Sequence, residues 1–210
     1  MHQSAMKRME WFVENYIPQD QHVEILDVGS YDINGSYRSL FQNYDCNYIG
    51  LDLEEGPNVD FVPRDPYSWP ELPDDSFDFI ISGNAFEHIE WPWITMSQIK
   101  MKLKPGGIAC ILTPFCLSEH RYPTDCYRYY PDGMKALAKY AGLDVIQCTT
   151  GGLPFGLEEV SAREWLSAEN YDDTMLVAIK GTDPLADYPK FVREFRSNTI
   201  HGEGFGLLTL

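Results

Sequence analysis

Basic residues are scarce in this chain. Lysine and arginine number 16 against 32 aspartates and glutamates, which leaves a formal net charge of −16. Nucleic-acid phosphates and anionic membrane surfaces both need a basic footprint, so neither partner is expected. The excess acid reads as a solvated surface. One local basic spot for an anionic substrate stays open, with Arg121 and Arg128 as its suppliers. Cysteine is also sparse. Cys46, Cys110, Cys116, Cys126 and Cys148 contain no C-x-x-C pair and are odd in number. Neither a zinc cage nor a disulfide framework is expected, and reduced, mostly buried thiols are the default. No apolar run reaches the length of a membrane span. The opening stretch MHQSAMKRMEWFVENYIPQD carries acids and lacks the uninterrupted apolar core of a secretory signal. A cytoplasmic location is expected by elimination. Internal repeats and low-complexity tracts are missing as well.

What remains is an ordinary globular composition. The 210 residues fit one domain with some embellishment, and 44% of them are apolar, enough for a core without staples. Met6, Met9, Phe12, Val13, Tyr16 and Ile17 share one helical face that Pro18 ends. This N-terminal helix within 1–20 either packs on the domain edge or lies as a lid over a ligand. Short buried strands are expected at 23–29, 46–53, 59–65, 77–83, 108–115, 143–150 and 174–181. Helices are expected over 36–44, capped by Ser36, over 85–107, closing on Pro105-Gly106-Gly107, and over 132–142. Strand and helix alternate through the first two-thirds, which implies crossover units and a parallel sheet. The domain is expected to span 1–181, with an acceptor loop at 116–131 and an insertion at 151–173. The tail 182–210 reads as an irregular segment or an oligomer arm, so a homodimer is one expectation.

In an open parallel sheet, ligands gather beyond the carboxyl ends of the strands. The first strand, EILDVGS, ends in Asp27 and turns on Gly29, next to Ser30. Glycine allows close backbone approach, and amides near a helix start favour an anion. Asp27 can orient the loop or accept from a ligand ammonium. Asp52 ends the second strand, where an acid can accept from both hydroxyls of a ribose. Asp65 ends the third and can accept from an adenine amino group, with Leu53 and Tyr67 flanking the ring. Taken singly, each acid is also an ordinary loop starter or cap. Three acids at successive strand ends, with a glycine turn at the first, make a nucleoside site the better reading.

The run ILDVGS…GLDL…FDFIISGNAFEHI…KLKPGG resembles the class I S-adenosylmethionine-dependent methyltransferases in order and spacing over residues 23–115. The resemblance implies a doubly wound α/β fold with a mostly parallel, seven-stranded, Rossmann-like sheet in the order 3-2-1-4-5-7-6, carrying an antiparallel edge strand. It implies S-adenosylmethionine (SAM) as cofactor, with S-adenosylhomocysteine as product. Gly29 would approach the methionine part, Asp52 the ribose and Asp65 the adenine, while Ser82, Gly83 and Asn84 would lie near the sulfonium. The pair Glu87-His88 matches the EH of the family. The usual D-x-G-x-G-x-G is replaced here by DVGSYDING, a lengthened first loop. The G-x-G-x-x-G of a dehydrogenase is missing.

The stretch PFCLSEHRYPTDCYRYYPDG, residues 114–133, sets His120, Arg121, Asp125 and Arg128 among tyrosines. Its H-x-x-P-x-D-x-x-R pattern resembles that of methyltransferases of glycan and secondary-metabolite pathways, which implies an acceptor loop. His120 can take a hydroxyl proton near neutral pH. Asp125 can orient that imidazole, act as a base or help hold a metal, and Arg128 can clamp an anion. The plainer alternative is an internal Asp125–Arg128 ion pair with His120 bonding backbone. His88 is a second candidate base or a helix-start residue bonding its neighbours, and Tyr127 can wall the pocket. No metal-ligand cluster stands out, and none is expected. The function expected is methyl transfer to a small-molecule or glycan-precursor acceptor, at oxygen. The alternatives are a silent SAM-binding partner subunit and an NAD-type oxidoreductase.

Overall fold

The computed structural model describes residues 3–33, 35–150 and 172–181. The insertion expected at 151–173, apart from Asp172 and Asp173, and the tail expected at 182–210 lie outside the described residues.

The elements follow in chain order as α1 (Gln3–Tyr16), β1 (Val23–Val28), β2 (Cys46–Leu51), β3 (Phe77–Gly83), α2 (Pro92–Lys102), β4 (Leu103–Cys116), α3 (Pro131–Ala141), β5 (Asp144–Thr150) and β6 (Asp172–Ile179). The six described strands form one sheet in the order β2-β1-β3-β4-β6-β5. β2, β1, β3 and β4 run parallel, and β6 is antiparallel to both β4 and β5.

Side-chain alternation along the strands builds two cores. Leu26 and Val28 of β1, Ile80 of β3 and Ile111 of β4 pack with Met96 and Ile99 of α2 and Met134 and Ala138 of α3. On the other face, Ile25, Ile81 and Leu112 pack with Met9, Phe12 and Val13 of α1. The result is three layers, helix on sheet on helix. The helical face predicted for α1 is therefore used on the sheet: Met9 and Phe12 are fully buried, and each such side chain contributes roughly 1.5–3 kcal/mol.

Local signals explain the ends. Pro92 and Pro131 each occupy the first turn of a helix, where a missing N–H is harmless. Gly142 closes α3 in the left-handed conformation at φ 81°, its N–H reaching the carbonyls of Ala138 and Lys139.

Three expectations need correction. The strand expected over 59–65 is reduced to isolated bridges, Leu51 to Phe61 and Asp65 to Ser68. Pro63 removes a ladder donor there, so six strands are described in place of seven, in the expected order otherwise. The antiparallel strand is not the edge strand: β6 lies between β4 and β5. The helices expected over 36–44 and 85–107 are shorter. The first is a 3-10 turn, Tyr37–Phe41, with Ser36 Oγ accepting from the N–H of Arg38. The second splits into a 3-10 turn, Phe86–His88, and α2, divided ahead of Pro92, while the chain from Leu103 through Pro105-Gly106-Gly107 already belongs to β4.

Candidate functional site

The carboxyl ends of β1, β2 and β3 place the expected cofactor residues. Asp27 is buried in β1, in register with Gly50 of β2 and Ile81 of β3. Its Oδ2 accepts the hydroxyl of Tyr48 at 2.5 Å, while its Oδ1 is buried with no partner. Burial pushes its carboxyl up to about 7, against the pull of the Tyr48 hydrogen bond. Gly29 follows at φ 82°, a left-handed conformation, and a Cβ there would sit 2.4 Å from that of Ala85. Glycine is thus required at the turn.

The loop amides behave differently from the expectation that they face an anion. Gly29 and Ser30 both donate to the carbonyl of Leu51, and Tyr31 donates to Asp52 Oδ2 at 2.9 Å. Ser30 is itself buried, its hydroxyl donating to the carbonyl of Asn58. Asp52 Oδ1 accepts the amide of Leu53 at 2.7 Å. Each oxygen of this half-buried carboxylate keeps a second lone pair for a further donor. Leu53 is exposed. Asp65 is exposed and accepts the amide of Tyr67 at 2.7 Å, and the Tyr67 ring lies 4.7 Å from that of Trp91.

After β3, Ser82 donates its hydroxyl to the carbonyl of Val28 at 2.7 Å. Gly83 faces the buried Tyr37: a Cβ at Gly83 would lie 2.1 Å from its hydroxyl oxygen. Asn84 stands at φ 54° and donates to Asp173 Oδ1 at 3.0 Å. Its Oδ1 is buried without a partner, as is the Tyr37 hydroxyl. Burial raises the Tyr37 phenol, and the nearby Asp173, Asp27 and Glu87 reinforce the shift. Unpaired buried acceptors at Asp27 and Asn84 fit a ligand that brings positive donors, such as an α-ammonium group. Tyr37, Tyr48 and Asp173 were not singled out from the sequence. A surface depression of about 430 Å³, lined by Arg38, Asn58 and Asp60 among others, includes none of the expected cofactor residues.

The loop after β4, expected to serve the acceptor, returns to the same end of the sheet. Its backbone ties to the turn after β3: Cys126 and Tyr127 donate to the carbonyl of Glu87, and Thr124 Oγ1 donates to that of His88 at 2.7 Å. The His88 and His120 rings stand edge to face, 4.8 Å apart. Glu87 lies beneath them. Its Oε1 is 3.7 Å from His88 Nε2 and 3.9 Å from His120 Nε2, and its Oε2 is 3.4 Å from the donor Thr113 Oγ1. Burial lifts the Glu87 carboxyl to about 8 and lowers the His88 imidazole.

Asp125 and Arg128 form the internal ion pair that was the plainer alternative. Arg128 donates from Nη1 to Asp125 Oδ1 and from Nη2 to Oδ2, from Nε to the carbonyl of Leu117, and to the carbonyls of Tyr127 and Ser118. All five N–H groups are therefore engaged within the loop, which corrects the clamp role expected for this side chain. Asp125 also accepts the backbone N–H of His120 at 2.7 Å. Its hydrogen bond from Arg128 holds its carboxyl well below the usual range, so it positions His120 and is a poor base. Arg121 is exposed and pairs with Glu119 at 2.8 Å. Tyr127 donates its hydroxyl to the carbonyl of Glu90 at 3.0 Å. The residue that sequence reasoning undervalued is Glu87; the EH pair was noticed, but not that its acid would meet His120.

The model of the methyltransferase-domain family matches residues 4–148. No curated protein matches the sequence. Among solved structures, a Haloferax volcanii protein described as a methyltransferase, in complex with a methyltransferase activator, is 17% identical, with 85% of this chain and 90% of that one covered and a TM-score of 0.60. The YcgJ protein of Bacillus subtilis is 17% identical, with coverage of 86% and 99% and a TM-score of 0.60. Haemonchus contortus phosphoethanolamine N-methyltransferase 2, in complex with S-adenosyl-L-methionine, is 17% identical, with coverage of 82% and 52% and a TM-score of 0.58. At these identities the likeness concerns the fold. No helix of the described residues is long and apolar enough to cross a membrane.

Proposed function

The chain belongs to the methyltransferase-domain family, of the class I SAM-dependent type, and from that premise we propose that it methylates a hydroxyl oxygen of a small-molecule or carbohydrate-like acceptor. The observation that carries the reading is the convergence of the His88 and His120 imidazoles on the buried Glu87 at the exit of β3. It supports proton removal from an acceptor, which a hydroxyl needs and an already nucleophilic amine does not.

SAM, when bound, supplies an activated methyl on its sulfonium. Asp27 and Asn84 would receive its ammonium, Gly29, Ser30, Ser82 and Gly83 would form the wall along its methionine part, Asp52 would accept from the ribose, and Leu53 and Asp65 would border the adenine. The buried oxygens that lack partners at Asp27 and Asn84 support this fit. Arg121 and Tyr127 would border the acceptor. His120 Nε2 would hold the hydroxyl proton, and His88 would stand beside it over the buried carboxyl of Glu87. The Asp125–Arg128 pair keeps the His120 backbone in place. The chain's main contribution is orientation of the hydroxyl against the methyl carbon.

The test uses the full chain with methyl-labelled SAM and a panel of hydroxyl, carboxyl and amine acceptors. Label in an ether product, lost in His120→Ala while calorimetric SAM affinity persists, supports the reading. Label on nitrogen only overturns the oxygen assignment, and SAM binding without transfer to any class favours the silent partner subunit.

A further inference from the structure

Three ligating atoms meet at the β3 exit from two separate segments. Glu87 and His88 are neighbours in one 3-10 turn, and His120 arrives from the loop after β4. Glu87 Oε1, His88 Nε2 and His120 Nε2 all lie within 4.8 Å of one another.

Hydrogen bonding assigns the tautomers. His88 Nδ1 is 2.5 Å from the carbonyl of Thr124, and His120 Nδ1 is 3.1 Å from that of Ser118. A carbonyl only accepts, so each Nδ1 carries the hydrogen and each Nε2 a lone pair. Arg128 Nη2 also stands 3.4 Å from His120 Nδ1, but its two hydrogens go to Ser118 O at 3.0 Å and Asp125 Oδ2 at 2.9 Å. Two imidazole lone pairs thus face one carboxylate oxygen at 3.7 and 3.9 Å, too far for direct hydrogen bonds. That arrangement gains most from a cation between the three.

We propose that Glu87, His88 and His120 bind one divalent transition-metal ion of the zinc type. Two imidazoles and one carboxylate are the donor set of zinc sites that keep a fourth position open. Magnesium and calcium favour oxygen donors, so the imidazole pair selects against them. Metal–ligand bonds of about 2.0–2.1 Å in a tetrahedron set ligand atoms roughly 3.4 Å apart. The two distances from Glu87 need to close by only a few tenths of an ångström, and the imidazole pair by more. The surroundings match what orients metal ligands elsewhere: the Nδ1–H of each histidine is held by a backbone carbonyl, and Thr113 donates to the second oxygen of Glu87.

The inference deepens the hydroxyl-methylation reading and rests on it only for what the ion does. The open position takes the acceptor oxygen, whose proton leaves to solvent on coordination in place of passing to His120. That oxygen's electron pair then forms the C–O bond while the C–S bond breaks with its electrons on sulfur.

Binding is tested without acceptor. The full chain, freed of metal by chelation, is titrated with Zn²⁺ by calorimetry and with Co²⁺ by visible absorption, beside His120→Ala, Glu87→Gln and Cys126→Ser. The last removes a thiol whose Sγ lies 4.0 Å from the carbonyl of His88. Expected are one equivalent per chain and a tetrahedral Co²⁺ spectrum without thiolate bands. The affinity should fall by more than ~100-fold in His120→Ala, beyond what losing an outer-shell partner produces, and be retained in Cys126→Ser. Calorimetric SAM binding by each variant reports that it is folded. Substoichiometric Zn²⁺, unchanged affinity in His120→Ala, or loss in Cys126→Ser overturns the site. Chelated protein that binds no Zn²⁺ yet methylates a hydroxyl at full rate overturns the metal and leaves the methylation reading standing. Metal binding without transfer to any hydroxyl does the reverse.

Discussion

Arg128 closes on Asp125 through both carboxylate oxygens, Nη1 to Oδ1 at 2.5 Å and Nη2 to Oδ2 at 2.9 Å, and the same carboxylate takes the backbone N–H of His120. The pair holds the loop after β4 from within. Lysine keeps the charge but loses the fork, so Arg128→Lys is expected to lose hydrogen bonds to a charged group, about 1.5–3 kcal/mol of stability. Chemical denaturation checks this. Turnover should fall as His120 loosens while SAM affinity holds; unaltered turnover would detach the ion pair from the positioning of His120.

His120→Ala is expected to lower hydroxyl methylation by ~10²–10⁴, with calorimetric SAM affinity unchanged. His88→Ala should have the smaller effect, because in this reading its ring stands beside His120 and does not itself hold the proton. Steady-state rates with an acceptor from the panel decide between them. Near-normal turnover of His120→Ala would remove the proposed proton pole.

Asp52→Asn is expected to weaken SAM by about 1.5–3 kcal/mol, the contribution of hydrogen bonds to a charged group. The amide oxygen can still accept from Tyr31 or Leu53, so asparagine disturbs the loop less than alanine would. Equal affinity for both proteins would refute the ribose contact.

Stability should depend on pH through Glu87. Its carboxyl rises from an ordinary 4.5 to about 8 in the folded chain because burial disfavours the charge. Between about pH 4.5 and 8 the unfolded chain has released a proton that the native state keeps, so rising pH favours unfolding across that window. The stabilisation is complete below 4.5 and gone above about 8. Asp27, raised from 3.8 to about 7, acts in the same sense. Asp125 acts oppositely: held below its ordinary 3.8, it stabilises above that value and loses the contribution on further acidification. Comparing melting temperatures of the native chain and Glu87→Gln from pH 5 to 8 isolates the Glu87 share. The variant should lose part of the decline; parallel profiles would contradict the burial effect.

Gly29→Ala is expected to destabilise the chain. The left-handed φ alone costs roughly 1–2 kcal/mol, and the new methyl would stand 2.4 Å from the Ala85 Cβ. A denaturation midpoint within error of the native chain would refute the tight approach of the β1 turn to the β3 exit.

The strands were legible because they are apolar runs that end at acids or glycines, and their alternation with helices pointed to a parallel sheet, while the order of the described strands was legible only through the resemblance to the class I methyltransferases. The segment 59–65 misled because its branched residues resemble a strand, while Pro63 and the flanking Asp60 and Asp65 leave it only bridges. The helix over 85–107 was overextended because apolar residues continue through Ile89 and Leu103, although Pro92 and the glycine pair confine it. His88, His120, Asp125 and Arg128 were legible as chemistry-bearing types. Their partnerships were not. Whether Arg128 faces solvent or closes on Asp125 depends on five donors finding acceptors in a folded loop. The meeting of Glu87 with His120 depends on the loop after β4 returning to the β3 turn, a contact that no local pattern encodes.

The most direct test is a crystal structure of the full chain with S-adenosylhomocysteine. The account predicts the ribose hydroxyls on Asp52, the ammonium near Asp27 and Asn84, and the sulfur facing the His88–His120 pair across a space that an acceptor hydroxyl can fill. A nucleoside bound away from Asp52, or a sulfur turned from both imidazoles, would contradict it.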